Sequence, residues 1–243
     1  MCFCTLARGK IMKIGILDDD EVLATHVENI MISSGHVCHT FRSGRRLLSA
    51  LHHETFDLLI LDWNVPDFPG IAILRWLRDH LEKHPPVLLL TSRSSEEDIV
   101  EGLRGGADDY VLKPVQAAVL AARVDAVLRR AYPQPQMQGI ENFGKYVFNV
   151  TEGVVLQEGA PVNLTAKEFL LALLLFRNTH RALSRTYILE TIWGRNPELP
   201  TRTLDQHVSR IRSKLNLHPE NGYKLIPIYA YGYRLEKLPG EVA

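Results

Sequence analysis

Short runs of consecutive apolar residues recur through the first half of the chain, and stretches with helical periodicity separate them. The apolar runs predict strands at residues 14–17, 37–41, 58–61, 87–90 and 109–112. The intervening stretches predict helices at residues 22–33, 45–51, 71–81, 96–103 and 115–130. Strands that are apolar throughout are buried on both faces. We therefore expect an α/β unit with a doubly wound, five-stranded parallel sheet.

The pattern changes after residue 131, where a segment rich in Pro and Gln has no apolar periodicity. Proline ends the preceding helix and stiffens such a segment. Beyond it, short strands at 146–150, 153–156 and 161–164 precede helices at 166–176, 185–193 and 202–215 and a hairpin at 224–235. This order is typical of an α+β winged helix-turn-helix. The predicted limits are a first domain at 12–131, a linker at 132–140 and a second domain at 141–238.

Composition adds an asymmetry of charge to this picture. The 243 residues carry no net charge, but residues 1–130 sum to −3 and residues 131–243 to +3. An acidic first half suits a cation site, and a basic second half suits an anionic polymer. No apolar run has the length of a membrane span, so we expect no membrane partner. The three cysteines are an odd number, and a reducing cytoplasm is the expected compartment.

Polar side chains stand where the predicted strands end. Asp18, Asp19 and Asp20 follow the first strand, Asp62 follows the third, and Thr91 and Lys113 close the fourth and fifth. Each feature alone is common in solvated loops, but together they converge on one edge of a parallel sheet. Clustered carboxylates require a neutralising cation, and Mg²⁺ fits oxygen ligands.

An alternative is a hydrolase, because some phosphatases also use a nucleophilic Asp after a strand. Those enzymes carry a second Asp two residues later as the general acid. Here that position is Asn64, which has no acid proton, and the second half of the chain leaves no room for a cap domain. We therefore do not expect an enzyme.

As a set, the motifs DDDE at 18–21, DLLILDWNVP at 57–66, LTSR at 90–93 and GADDYVLKP at 106–114 resemble the OmpR/PhoB-type response regulators. The resemblance runs from about residue 12 to residue 238. It implies a flavodoxin-like receiver domain and a phosphohistidine donor on a sensor histidine kinase. It makes Asp62 the phosphoacceptor, with a cis Lys113-Pro114 bond nearby. The implied Mg²⁺ ligands are Asp18, Asp19, Asp62 and the main-chain carbonyl of Asn64, and the implied phosphoryl-binding and switch residues are Thr91, Tyr110 and Lys113.

The residues of the predicted helix at 202–215 indicate binding to double-stranded promoter DNA. Leu204, Val208 and Ile211 recur at helical spacing as its buried stripe. On the other faces of the helix, a Gln side chain can hydrogen-bond to adenine and an Arg side chain to guanine in the major groove. The remaining cationic side chains can pair with phosphates. The competing hypothesis is an adaptor that binds protein. The predicted DNA contacts are Arg202, Thr203, Gln206, His207, Arg210, Arg212, Lys214 and Arg234.

Two departures from the family pattern concern the same domain. Ser209 stands where many relatives have Arg, and Tyr229-Ala230 stands where an Arg-Gly pair is usual in the wing. Phosphate contacts are therefore expected to be fewer or differently made. The family resemblance also assigns the loop at 193–200 to a contact with RNA polymerase.

The resemblance further implies a homodimer of phosphorylated receivers. Its cross-subunit bridges would be Asp109 with Arg123 and Asp108 with Arg130, beside an apolar contact of Ile99 with Val119. Arg104 and Asp125 occupy a further pair with the charges reversed relative to some relatives. Surface pairs contribute little each, so affinity is expected mainly from the apolar contact.

Overall fold

The computed structural model describes residues 11–92, 96–133, 139–194 and 201–238, without the side chains of 96–99 and 201–202. The chain divides into two compact units. The helix before the predicted linker ends at Ala131, and the next strand begins at Ile140. The predicted domain limits themselves stay predictions.

The first unit alternates five strands and five helices. Its strands are β1 (Lys13–Leu17), β2 (Val37–Phe41), β3 (Leu58–Asp62), β4 (Val87–Thr91) and β5 (Asp109–Leu112). Its helices are α1 (Glu21–Ser33), α2 (Gly44–Leu51), α3 (Gly70–His80), α4 (Glu96–Arg104) and α5 (Ala117–Ala131). The strands pair in parallel in the order β2-β1-β3-β4-β5, which confirms the doubly wound, flavodoxin-like fold.

Alternate residues of the three central strands serve two separate cores. Ile14, Ile60 and Leu88 belong to the core that includes apolar residues of α1 and α5. Leu59 and Leu89 belong to the core that includes apolar residues of α2 and α3. Successive side chains of a strand point to opposite faces, so a sheet covered on both faces needs an unbroken apolar run. The polar residues at the ends of these strands are therefore the ones left to line a site.

The second unit combines a four-stranded sheet, three helices and a three-stranded sheet. Its strands are β6 (Ile140–Phe143), β7 (Tyr146–Asn149), β8 (Val154–Gln157), β9 (Ala160–Val162), β10 (Leu183–Ser184), β11 (Tyr223–Ile228) and β12 (Gly232–Lys237). Its helices are α6 (Ala166–Arg177), α7 (Arg185–Trp193) and α8 (Thr201–Lys214). Their order confirms the winged-helix architecture, with β11 and β12 forming the wing.

Two strands of this unit, β6 and β10, were not predicted from the sequence. The start of β6 falls in the predicted linker, and its Glu141 is buried against Arg177, which hides the apolar alternation. The two residues of β10 are too few to show a period, and the strand exists because it pairs with β12. In both cases the partner lies far along the sequence: Arg177 is the partner of Glu141 on β6, and β12 is the partner of β10.

Candidate functional site

The carboxyl ends of the parallel strands bring the predicted acidic residues together. Asp18 directly follows β1, and Asp62 is the last residue of β3. One carboxylate oxygen each of Asp18, Asp19 and Asp62 lies within 4.8 Å of the others. Asp18 and Asp62 are buried while Asp19 is exposed, so the cluster is open to solvent on one side. This convergence is what the strand-end pattern predicts.

Lys113 supplies the positive charge of this site. Its Nζ lies 3.0 Å from Asp18 Oδ2 and 3.0 Å from Asp62 Oδ1. Burial by itself would lower the pKa of Lys113, but its hydrogen bonds and attraction to the two carboxylates outweigh burial and raise it. For Asp18, burial raises the pKa while the Lys113 contact opposes the rise. The Lys113-Pro114 peptide bond is cis, as expected.

The chemistry of the acidic cluster fits a hard divalent cation. Three carboxylates at this spacing can each offer one oxygen, which is the ligand type that Mg²⁺ prefers. Asp20, the third residue of the acidic run, has a different role. Its side chain caps α1 by accepting from the main-chain N–H groups of Val22 and Leu23. The acidic run is thus divided between a carboxylate cluster that could hold a metal ion and a helix cap.

The loop between β3 and α3 is held at two points, which the sequence analysis missed. A Cβ on Gly70 would lie 2.1 Å from the main-chain oxygen of Asp62, so this close approach requires glycine. Asp67 accepts from the Ser43 hydroxyl at 2.7 Å and from the N–H groups of Gly44 at 3.0 Å and Arg45 at 3.1 Å. These partners precede Asp67 by 22 to 24 residues, so no local pattern reveals them.

The predicted switch residues lie on the neighbouring strands. Thr91 is buried at the end of β4, and its main-chain oxygen accepts from Lys113 N at 2.8 Å. Tyr110 on β5 is half-buried, with the Arg123 guanidinium 5.8 Å from its ring centroid. Thr91 therefore ends the strand next to β5, and Tyr110 lies on β5 itself, three residues before Lys113.

The residues of the predicted dimer face make internal contacts in this structure. Arg123 pairs with Asp109 at 2.7 Å, and Asp108 pairs with Arg78 at 3.1 Å. Arg130 donates to the main-chain oxygen of Asp108 rather than to its carboxylate.

The remaining positions of that face are partly described. Val119 is 41% exposed, and Arg104 and Asp125 are exposed. The side chain of Ile99 lies outside the described residues. The structure contains a single chain, so the cross-subunit contacts stay predictions.

The predicted DNA residues on α8 fall into two groups. Gln206 and Arg210 are exposed and make no side-chain hydrogen bond or ion pair within the described residues. His207 donates to the Thr203 carbonyl at 2.8 Å and packs edge-on against Trp193. The side chain of Arg202 lies outside the described residues.

Three other predicted cations of this unit are bound internally. Arg212 donates to the carbonyl of Leu225 on β11 at 3.1 Å, and Lys214 lies 2.8 Å from the buried carboxylate of Glu168. Arg234 on β12 pairs with Glu236 at 2.6 Å. Their contacts stabilise the fold, and this role was missed because the sequence alone does not show their partners.

Comparison with known proteins identifies a family for each unit. Residues 14–125 match the response regulator receiver domain, and residues 159–235 match the C-terminal domain of transcriptional regulatory proteins. No helix in the described ranges is both long and apolar enough to cross a membrane.

Full-length relatives agree with these two matches. The chain is 35% identical over 224 residues to the sensory transduction protein RegX3 of Mycolicibacterium smegmatis, covering 91% of this chain and 97% of the relative. It is 35% identical over 223 residues to the transcriptional regulatory protein AfsQ1 of Streptomyces coelicolor, covering 91% and 96%. It is 33% identical over 223 residues to the DNA-binding response regulator MtrA of Mycolicibacterium smegmatis, again covering 91% and 96%.

The contacts of Asp67 predict a pH-dependent stability. Its hydrogen bonds to Ser43 and the start of α2 lower its pKa from 3.8 to about 2. A carboxyl with a depressed pKa stabilises the fold above its unfolded pKa and loses that effect as pH falls through the folded pKa. Asp67→Asn should therefore unfold at lower urea than the wild type at pH 7, and the difference should shrink from about pH 4 towards pH 2. Asp79→Asn, on the exposed surface of α3, is the matched control. If the wild type and Asp67→Asn differed in urea midpoint by the same amount at every pH, the stabilising role of the ionised Asp67 carboxylate would be contradicted.

Proposed function

Because the chain belongs to the OmpR/PhoB-type family of two-component response regulators, we propose that phosphorylation of Asp62 controls its binding to promoter DNA. The observation that carries the proposal is the placement of Lys113, 3.0 Å from both Asp18 and Asp62, beside a cluster of three carboxylates. The phosphoryl donor is a phosphohistidine of a partner sensor kinase. On this proposal the protein acts in the cytoplasm, where such a kinase presents its donor.

The transfer requires little covalent chemistry from the protein. An Asp62 carboxylate oxygen attacks phosphorus and the N–P bond of the phosphohistidine breaks. The departing imidazole keeps the bonding electron pair and takes up one proton from solvent, so an aspartyl phosphate and a neutral histidine result. Asp18, Asp19, Asp62 and the Asn64 carbonyl would hold Mg²⁺, which offsets negative charge on the phosphoryl group. Lys113 pairs with a phosphoryl oxygen, and its raised pKa keeps it cationic for this task.

Modification of Asp62 would be sensed by the adjoining strands. Thr91 would bond to a phosphoryl oxygen, and Tyr110 would turn inward beside it. Both residues border the α4–β5–α5 face, through which we expect the phosphorylated receivers to pair. The paired second units would place α8 in the major groove, and the loop at 193–200 would contact RNA polymerase. Residues 195–200 of that loop lie outside the described residues.

The first test concerns the acceptor. With a small acyl phosphate and Mg²⁺, Asp62→Ala should abolish hydroxylamine-sensitive phosphate incorporation, and Asp19→Ala should require more Mg²⁺ for the same rate. Asp20→Ala is a matched control from the same acidic run, because it removes only the α1 cap. It should cost about 1 kcal/mol of stability while labelling continues. Undiminished labelling of Asp62→Ala would remove Asp62 as the acceptor.

The second test concerns sequence recognition by α8. Wild-type protein would select sites from a randomised duplex pool, and the variants would repeat the selection. Gln206→Ala and Arg210→Ala should each relax the preference at one base pair and weaken binding by about 1–3 kcal/mol. Lys214→Ala should keep the preference but unfold more easily, because the buried carboxylate of Glu168 loses its cationic partner. Unchanged preferences for both Gln206→Ala and Arg210→Ala would show that another face reads the DNA.

The third test concerns the dimer. Arg104→Asp should weaken association of the phosphorylated receivers if Arg104 faces Asp125 of a second copy, because two acids would then meet. Adding Asp125→Arg should restore association, as a like-charge contact is converted back to an attractive one. Sedimentation of the phosphorylated single and double variants measures this, with Arg46→Asp on α2 as the control. Failure of the double variant to recover would mean that these residues do not face each other.

A further inference from the structure

A buried histidine ring next to β2 has no hydrogen-bond partner. Both ring nitrogens of His36 are buried, and neither makes a hydrogen bond within the described residues. A buried polar atom without a partner costs free energy, which a bound water or ion would offset. Burial lowers the pKa of His36, and attraction to Asp125 and Asp57 opposes that effect. The imidazole is therefore mainly neutral near pH 7, which is the form that binds metal ions.

Sulfur-containing side chains are buried beside this histidine. Met12, Met31 and Cys38 are 4%, 0% and 8% exposed, and all three belong to the core that includes apolar residues of α1 and α5. The His36 N–H donates to the Met31 carbonyl at 3.0 Å. The N–H of Val37, the next residue, donates to the Met12 carbonyl at 2.9 Å. The main chain thus brings both methionines next to His36.

Strand geometry directs these side chains to one face of the sheet. Met12 directly precedes β1, and Cys38 on β2 pairs in register with Ile14 of β1. Met12, Ile14 and Cys38 belong to the same core, as alternate and paired residues of a sheet do. His36 precedes Cys38 by two residues, which directs it to the same face. Of the two carboxylates that act on His36, the one with the larger effect, Asp125, belongs to α5 on that face.

We propose that the soft ligands at the amino ends of β1 and β2 form a binding site for Cu(I). The four ligands are Met12, Met31, His36 and Cys38. Thioether and thiolate sulfur select Cu(I), and imidazole nitrogen also suits copper. On binding, the methionines and the imidazole each donate a lone pair, and the Cys38 thiol donates its pair as thiolate after releasing its proton to solvent.

This site differs in place and in chemistry from the carboxylate cluster. The cluster follows the carboxyl ends of the strands, whereas the soft ligands lie at the amino ends of β1 and β2. Mg²⁺ prefers oxygen ligands, which the soft site lacks among its four side chains.

A buried water is the alternative partner for the His36 ring. Such a water typically makes two to four hydrogen bonds to polar groups. The thioethers of Met12 and Met31 are only weak acceptors. The negative charges of Asp57 and Asp125 also favour a cation over a neutral molecule. These observations favour the metal ion.

The experiment measures Cu(I) uptake by the full chain. Cu(I) is held reduced by ascorbate without oxygen, and bathocuproine disulfonate competes for it as a coloured chelator. Cys2 and Cys4, outside the described residues, also offer thiols, so every protein carries Cys2→Ser and Cys4→Ser. This parent protein should bind Cu(I), and Met31→Leu and His36→Leu should each weaken binding by about tenfold or more. Cys38→Ser should abolish the thiolate-to-copper absorption in the ultraviolet.

Two variants guard against a general effect on the fold. His39→Leu is the matched control, because His39 lies on β2 beside Cys38 but contacts Phe56 of the other core, with ring centroids 5.9 Å apart. It should bind Cu(I) like the parent protein. Met31→Leu nearly conserves the volume of a core side chain, so the test holds even where His36→Leu fails to fold.

Three results would overturn the proposal. The first is a parent protein that takes up no Cu(I) against the chelator, which would leave a buried water as the partner of His36. The second is wild-type affinity in both Met31→Leu and His36→Leu, which would place the ion elsewhere. The third is a His39→Leu protein as weak as these two variants. None of the measurements needs a phosphoryl donor or DNA, so their outcome is independent of the proposed function.

Discussion

The bonds from Lys113 to two buried carboxylates are the interaction on which the first unit depends. Asp18 is fully buried and Asp62 is 6% exposed, so their repulsion must be offset within the protein. Lys113 offsets it from the end of β5, with Nζ 3.0 Å from each carboxylate. Any change of charge at Asp62 must alter what Lys113 binds. Because Lys113 directly follows β5, that change reaches the strand that also carries Tyr110.

The opposite side of the Asp62 site is held by a close main-chain approach at Gly70 and by hydrogen bonds to the Asp67 carboxylate. Gly70 allows α3 to approach the main-chain oxygen of Asp62, and Asp67 binds the start of α2. These contacts do not involve the Asp62 carboxylate, so its modification leaves them in place. On the proposed function, the β3–α3 loop would therefore stay in place when Asp62 is phosphorylated, and Thr91 and Lys113 would respond. The effect of the phosphoryl group would then pass towards β4 and β5.

The sequence was sufficient for features that depend on burial and chain order. Unbroken apolar runs predicted β1, β3 and β4, and the polar residues that end these strands predicted the acidic cluster. It was insufficient where a side chain acts through a distant partner. The Asp67 cap and the pair of Glu141 with Arg177 join residues 22 to 36 positions apart. Likewise, Arg212 and Lys214 look like Arg210 in sequence, and only tertiary contacts distinguish them.

That distinction changes how the second unit must bind DNA. Lys214 joins α8 to the capping box of α6, Arg212 joins α8 to the wing, and Arg185 joins α7 to α8. These cations join α8 to its neighbouring elements, and a cation held by a carboxylate or carbonyl is less available to a phosphate. On the proposed function, fewer phosphate contacts would then contribute to DNA affinity, and base contacts would supply a larger share of it. A count of Lys and Arg on this unit would therefore overestimate how steeply its DNA affinity falls with salt.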